Sequence, residues 1–218
     1  MPGNIRVVEV KLTEAETLAD FYGILFDLDN ASQLCNRAIE FSQQKNQDYL
    51  LVEGLVVAAL VRYNRCFSSG SRRGLHRKDI EPLDEDALAA HDYYKALRDK
   101  FVAHSVNPFE ETYVTATARE RDGVRFPVES VAPGQHRVVL WTGDAKALIR
   151  LIASVRAIVE RKLKIEEQRL LAVIRSLPVD TIHAWDLHQP RRFNAEDVYK
   201  SRARSRAPKD PFRGRAHT

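Results

Sequence analysis

Hydrophobic residues recur at helical spacing in four long stretches of the chain, and these stretches predict four amphipathic helices. The first extends from about residue 13 to 44, and the second, the most apolar, from about 47 to 67. The third begins at about Asp84 and stops before Pro108, because proline disfavours helical geometry in the residue before it. The fourth extends from about 144 to 177. Four such helices with mostly short connections predict a mostly α-helical protein, built as an antiparallel four-helix bundle.

The pattern between the third and fourth helices has the period of strands instead. Over residues 112–141, short runs of alternating apolar and polar residues are separated by turn-forming dipeptides. Asp122-Gly123 is a strong hairpin signal, and Pro133-Gly134 is expected to form a second turn before a last strand. The sequence therefore predicts a small antiparallel β insertion in the helical domain.

The composition changes again after the fourth helix. Residues 189–218 contain nine Lys or Arg and three Asp or Glu, a net charge of +6 that leaves −2 on the rest, since the whole chain carries +4. The last residues contain almost no aliphatic side chains, so they bury too little apolar area to offset their chain entropy. We therefore expect a bundle domain over residues 1–178 and an extended, disordered basic tail over 179–218.

The apolar runs and the two cysteines indicate in which cellular compartment the protein is expected. No uninterrupted apolar run approaches the roughly 20 residues that span a bilayer, and the N-terminus lacks the apolar core of a signal peptide. Cys35 and Cys66 both lie in helical patterns without the spacing of a zinc site. We expect a cytoplasmic protein with reduced, buried thiols and no contact with a membrane.

The string HAWDLH at residues 183–188 contains two imidazoles and a carboxylate, which are metal-ligand types. A fourth ligand is not apparent in the sequence. The favoured interpretation is that Trp185 and Leu187 anchor this segment on the helical domain, and we predict no metal site.

Aromatic side chains in the first and third helices lie within apolar periodic stretches. We interpret them as core residues instead of surfaces on which bases stack: Phe21, Tyr22, Phe26 and Phe101.

A Gly- and Ser-rich segment after the second helix, residues 68–78, carries five basic or imidazole side chains and is predicted to be a solvated loop. Clustered cations bind polyanions with little sequence preference, so the loop is a weak candidate for contacting RNA phosphates. An ordinary solvated loop is the alternative. The residues concerned are Arg72, Arg73, His76, Arg77 and Lys78.

The most informative segment is ALRDKFVAHS, residues 96–105, in which Arg98 and Asp99 precede His104 by a few positions. This string resembles the arginine–polar–histidine motif of the HEPN superfamily, a group of helical nucleotide-binding domains. It is most similar to the abortive-infection-type branch found in bacterial conflict and toxin–antitoxin systems. The resemblance implies a bundle fold, metal-independent RNA cleavage, a homodimer, and products with 2′,3′-cyclic phosphate and 5′-hydroxyl ends.

The residue types at this motif suit that reaction. In RNA the 2′-hydroxyl attacks the adjacent phosphate once a base removes its proton, and a cation stabilises the charge that develops. Histidine titrates near neutral pH, and the permanently charged guanidinium offers paired donors to phosphate. We therefore predict that His104 acts as general base and acid, that Arg98 stabilises the phosphate, and that no cofactor is required.

The spacing also favours two copies of the site. Six residues of ideal α-helix place Arg98 and His104 roughly 120° apart around the axis and about 9 Å along it, so one helix does not bring them together. Pairing of two third helices about a two-fold axis would bring both motifs into one groove. An arginine and a histidine six residues apart also arise by chance, in which case His104 only helps to end the helix.

Neighbouring residues extend the candidate site. Asp99 is predicted to orient a guanidinium or an imidazole, and Tyr94, one turn before Arg98, to line the groove. His91 lies one turn earlier and is interpreted as a surface histidine on the helix.

The resemblance to the HEPN superfamily thus implies an endoribonuclease of a bacterial defence or toxin–antitoxin system, with RNA, a second copy and an antitoxin protein as expected partners. The alternative is a non-catalytic helical interaction module that binds RNA or an acidic protein. In that case Arg98 and His104 would lie in unconnected environments.

Overall fold

The computed structural model describes residues 5–68, 72–103, 110–189 and 192–200. Most of the described residues are helical, with a small antiparallel two-stranded sheet. The α-helices in this part of the chain are α1 (Glu14–Ser42), α2 (Tyr49–Arg65), α3 (Glu85–Leu97), α4 (Thr142–Ser176) and α5 (Val179–His183). The strands are β1 (Glu110–Thr117), β2 (Glu120–Arg121), β3 (Val124–Arg125) and β4 (Ser130–Arg137).

The chain divides into two compact units, which are described separately. The first comprises Met1–Leu28, Arg65–Ile80 and Val155–Thr218, and the second comprises Asp29–Asn64 and Glu81–Ser154. Helices α1, α2 and α4 have the extents predicted from the sequence to within a few residues, whereas α3 ends at Leu97, earlier than predicted, and is followed by a π-helical turn over Arg98–Val102. The mostly helical character and the antiparallel insertion are confirmed, whereas the fifth helix was not predicted.

Aspartates mark helix starts in the second unit. Asp84 accepts a hydrogen bond from Ala87 N (2.7 Å), and Asp48 accepts one from Leu51 N (3.0 Å). Asp144 accepts one from Trp141 N (2.9 Å). These contacts satisfy backbone donors that have no partner within their own helices, so they set where α2, α3 and α4 begin.

The core of the second unit consists of apolar side chains from its helices and from Leu140, which lies just before α4. Fully buried examples are Ala31, Cys35, Val52, Val56, Leu60, Leu140, Leu148 and Ile152. Burial raises the pKa of the Cys35 thiol to about 12. The core of the first unit includes Ile24, Leu28, Cys66, Ile80, Val155 and Val159.

The insertion is a long hairpin with a short one at its tip. β1 and β4 pair antiparallel over eight residues, and β2 and β3 pair around Asp122-Gly123. Both turn residues have positive φ, 51° and 78°, as a two-residue hairpin turn of this type requires. The predicted hairpin at this dipeptide is confirmed.

The predicted turn at Pro133-Gly134 is wrong. Both residues lie within β4, where Pro133 pairs with Val114 and Gly134 with Tyr113. The tyrosine ring covers Gly134 so closely that a Cβ atom there would lie 2.4 Å from it. An aromatic side chain opposite a strand glycine stabilises the extended conformation, which explains why this dipeptide does not turn.

The segment after Pro178 begins with a short helix, although the sequence assigned it to an extended tail. Past α5, Asp186 O accepts a hydrogen bond from Glu9 N (2.9 Å), and His188 N donates one to Val7 O (2.9 Å). Trp185 is buried, in keeping with its predicted anchoring role, whereas Leu187 is exposed. The predicted disorder of residues 201–218 concerns residues outside those described.

Candidate functional site

The predicted motif begins where α3 changes into a π-helical turn. Residues Arg98–Val102 form this turn, and Ala103 N donates to Arg98 O at 2.9 Å. A bond over five residues instead of four widens the helix, so the angle calculated for an ideal α-helix does not apply here. Short π-turns within helices are rare and are frequently found at functional sites.

Arg98 and Asp99 form an ion pair at the surface of this turn. Arg98 Nη1 donates to Asp99 Oδ1 at 2.8 Å, and the two side chains are 38% and 43% exposed. Lys95, one turn earlier, donates to Asp99 Oδ2 at 3.3 Å. The predicted orienting role of Asp99 is consistent with this contact, because the carboxylate holds one edge of the guanidinium.

The cations around Asp99 change its acidity. The hydrogen bond from Arg98 lowers the pKa of Asp99 and, together with Lys95, outweighs the opposing effect of burial. Lys95 was not singled out from the sequence, although its spacing of four residues before an aspartate is a recognisable signal for a helical ion pair.

His104 lies outside the described residues, so the structure gives no distance between it and Arg98. The described chain on this side ends at Ala103 and resumes at β1. The roles predicted for His104 remain predictions.

Tyr94 is a core residue and does not line a groove. Its side chain is buried, and its hydroxyl donates to Asp144 O at 3.0 Å. Burial raises the pKa of this hydroxyl, with a further increase from nearby Asp144. The predicted RNA contact of Tyr94 is therefore corrected: the ring packs inward because it lies on the apolar stripe of α3.

His91 is also buried, at 2% exposure, so its interpretation as a surface histidine is wrong. Its Nδ1 lies 2.8 Å from the Tyr63 hydroxyl, which is itself fully buried. A buried imidazole requires a hydrogen-bonding partner, and Tyr63 of α2 supplies one. His91 is therefore a core residue, hydrogen-bonded to Tyr63, and does not line an open groove.

The basic loop differs most from its prediction. Arg72 extends to the buried carboxylate of Asp27 in α1, with Nη2 2.8 Å from Oδ2, and also donates to Arg65 O at 3.2 Å. Its side chain is only 17% exposed. The backbone N–H of Arg73 donates to Asp20 Oδ2 at 2.8 Å. The proposed phosphate-binding role of Arg72 is corrected, because its guanidinium is bound to a buried aspartate.

Other parts of this loop are anchored as well. Leu75 and Ile80 are buried, and Lys162 Nζ donates to Asp79 Oδ1 at 2.9 Å. The prediction of a solvated loop is therefore wrong for this part of the segment. The side chains of Arg73, Arg77 and Lys78 remain exposed and are still candidates for a polyanion contact.

Two of the four aromatic residues predicted for the core are exposed. Tyr22 and Phe26 lie four residues apart on α1, with more than half of each side chain accessible. Their apolar character matched the helical pattern, but the buried face of α1 here is formed by Ile24, Asp27 and Leu28. Phe21 and Phe101 are partly buried.

Neither a metal cluster nor a membrane-spanning helix is found in the part of the chain that the structure describes. This part contains no group of three or more side chains placed to bind a metal ion. None of its helices is both long and apolar enough to cross a bilayer. Of the HAWDLH string, Asp186 forms an ion pair with Lys11.

Comparisons with protein-family models, with curated proteins and with solved structures returned no significant match to this chain.

Proposed function

We propose that the chain is a metal-independent endoribonuclease of the HEPN type, acting as a homodimer in a bacterial defence or toxin–antitoxin system. The observation that carries the proposal is the π-turn at Arg98–Val102, which presents a partly exposed, oriented guanidinium within the motif. The proposal includes an antiparallel four-helix bundle formed by α1 to α4, for which the four long helices are the support.

In this mechanism His104 removes the proton from the 2′-hydroxyl, and the oxygen attacks the adjacent phosphorus. The 5′-oxygen of the next nucleotide leaves and takes up a proton, which gives a 2′,3′-cyclic phosphate and a 5′-hydroxyl. Arg98 stabilises the charge on the phosphate oxygens. Asp99 holds one side of the guanidinium and leaves its other donors for the substrate, since arginine has five.

The test is cleavage of total cellular RNA in chelator by the purified full chain and by Arg98→Ala and His104→Ala. We expect loss of at least about 100-fold in rate for both variants, the scale of general acid–base catalysis for His104 and of charge stabilisation in the transition state for Arg98. Lys100→Ala is the matched control, because it removes an exposed cation from the same turn. Arg98→Lys separates charge from geometry, since lysine lacks the planar pair of donors.

Cleavage by Arg98→Ala at the wild-type rate, with both proteins folded, would contradict the assignment. So would products that carry 3′-hydroxyl ends.

A second candidate is a non-catalytic interaction module, favoured by the exposed aromatic pair Tyr22 and Phe26 on α1. Large apolar side chains that share an exposed helix face mark interaction surfaces. This function predicts that the wild type and the Arg98 and His104 variants are equally inert toward RNA.

A further inference from the structure

The hairpin of β1 and β4 is exposed on both of its faces. Val114 of β1 is 74% exposed and Val131 of β4 is 69% exposed, and Tyr113 on the opposite face is also accessible. Within the described residues, the sheet contains only these two strands. A two-stranded ribbon is marginally stable in water unless further strands or a helix pack on it.

The two outer edges of the hairpin differ in their capacity to pair with a further strand. β4 contains Pro133, which has no N–H, and Gly134, whereas β1 contains neither residue type. Proline within a sheet lies on an edge with its nitrogen facing away from the neighbouring strand. The edge of β4 is thus blocked at its centre, whereas no strand among the described residues pairs with the outer edge of β1.

The register indicates which donors of β1 face outward. Val114 is directly opposite Pro133. Since proline cannot donate, this pair is of the type that exchanges no hydrogen bonds, and the Val114 N–H and C=O point away from β4. Backbone groups of alternate residues in a strand point the same way. The N–H and C=O groups of Thr112, Val114 and Ala116 therefore all point away from β4.

The outer edge of β1 carries charges of opposite sign at its two ends, which suits antiparallel pairing with the same strand of a second copy. Glu111 lies near the start of the strand, and the exposed Arg119 lies two residues after its end. If two β1 strands pair antiparallel with Thr115 on the two-fold axis, each Glu111 is opposite Arg119 of the second copy. Arg119 also contacts Glu129 through Nε at 3.1 Å, which leaves its other donors for this contact.

The same register extends an apolar surface across the axis. Val114 becomes the neighbour of Ala116 of the second copy, on the face that already carries Val131 and Pro133. Two copies therefore form a continuous apolar strip.

We propose that two copies of this chain pair through the outer edges of their β1 strands to form a four-stranded antiparallel sheet in the order β4, β1, β1 and β4. The pairing surface is independent of the ribonuclease chemistry. Its main-chain hydrogen bonds provide affinity, and the Glu111–Arg119 pairs fix the register. This edge is a different interface from the predicted pairing of third helices.

The test is the mass of the assembly that the full chain forms in solution, measured by sedimentation over a range of protein concentrations. We expect Val114→Pro, which removes an outward donor, to form a smaller assembly than wild type: single chains of 24.9 kDa if β1 is the only pairing surface, and pairs of chains if the third helices also pair. Val131→Pro is the matched control, since it makes the same change at a similarly exposed valine on the blocked edge. It is expected to form an assembly of the same mass as wild type. Circular dichroism verifies that both variants are folded.

A second variant tests the register. Thr115→Cys places two thiols across the axis at a Cα separation of about 4.5 Å, which suits a disulfide, whereas Thr117→Cys places them apart. We expect oxidation to link Thr115→Cys chains in pairs and not Thr117→Cys chains. The native cysteines Cys35 and Cys66 are buried and do not compete. A wild-type monomer at every concentration overturns the proposal, as does an assembly whose mass is the same for wild type and Val114→Pro. Because the readouts are mass and crosslinking, failure here is distinguishable from failure of the cleavage assay.

Discussion

Two arginine–aspartate pairs in this protein have the same separation and different surroundings. Arg72 and Asp27 are 2.8 Å apart, as are Arg98 and Asp99. The first pair joins residues 45 positions apart, and its side chains are 17% and 2% exposed. The second joins adjacent residues and is about 40% exposed on both sides. Burial, and not distance, separates an arginine that holds the fold from one that is accessible to a substrate.

The physical basis is the cost of desolvation. Asp27 and Arg72 have both lost most of their water, and Asp27 is also 3.6 Å from Arg65 Nε, so removing the carboxylate leaves a buried guanidinium without its counter-charge. Arg98 and Asp99 keep much of their hydration, and solvent screens their attraction. In the proposed mechanism a phosphate binds the remaining donors of the partly exposed Arg98, whereas the Arg72 guanidinium is mostly buried beside Asp27.

The largest expected effect is on stability, from Asp27→Ala. This change leaves the Arg72 guanidinium buried without its counter-charge, which typically costs about 3–5 kcal/mol of unfolding free energy. Urea denaturation followed by circular dichroism measures the change. Glu40→Ala is the matched control on the same helix, because the Arg37–Glu40 pair has the same 2.8 Å separation and is mostly exposed. A loss for Asp27→Ala no larger than for Glu40→Ala would show that burial is not the deciding factor.

A smaller effect is expected at the glycine beneath Arg72. A Cβ atom on Gly23 would lie 2.9 Å from Arg72 Nη1 and 3.2 Å from its Cδ, whereas one on Gly54 of α2 would meet nothing within 4 Å. Replacing a helical glycine by alanine normally stabilises by about 1 kcal/mol. We expect that gain from Gly54→Ala and none from Gly23→Ala, because the bound guanidinium cannot move aside.

Thermal unfolding of both glycine variants measures the difference. Equal stabilisation of the two proteins would mean that Arg72 is free to shift, which contradicts its tight attachment to Asp27.

Sequence reasoning succeeded where a local pattern determines the structure. The apolar period gives the extents of α1, α2 and α4, and the positive φ angles of Asp122 and Gly123 follow from their residue types. It failed at Pro133-Gly134, since the extended conformation there depends on Tyr113 across the sheet. A turn signal cannot contain information about a side chain on another strand.

The candidate site divides in the same way. The Arg98–Asp99 contact joins adjacent residues and was accessible to sequence reasoning. The burial of Arg72 and His91 was not, because their partners Asp27 and Tyr63 are distant in sequence and no periodicity links them. The π-turn was also missed, since the residues RDKFV are equally compatible with an α-helix.

The smallest effect is expected from Asp99→Asn, which weakens the exposed pair. The hydrogen bond from Arg98 holds the pKa of Asp99 below its ordinary value. The pair therefore stabilises the fold above the ordinary aspartate pKa of about 3.9, and this stabilisation is lost as the pH falls through the lower folded value. Because both side chains are about 40% exposed, screening limits the contribution to less than about 1 kcal/mol.

The measurement is the unfolding free energy of wild type and Asp99→Asn at pH 7 and again at about pH 3, where the stabilising charge is being neutralised. We expect a small difference at pH 7 that shrinks on acidification. Lys95→Ala serves as the control, since Lys95 also donates to Asp99. Its removal should lower the unfolding free energy by no more than Asp99→Asn does. A loss at pH 7 as large as that of Asp27→Ala would mean that the Arg98–Asp99 pair holds the fold as well. Arg98 would then be a structural residue like Arg72, and the contrast between the two pairs would disappear.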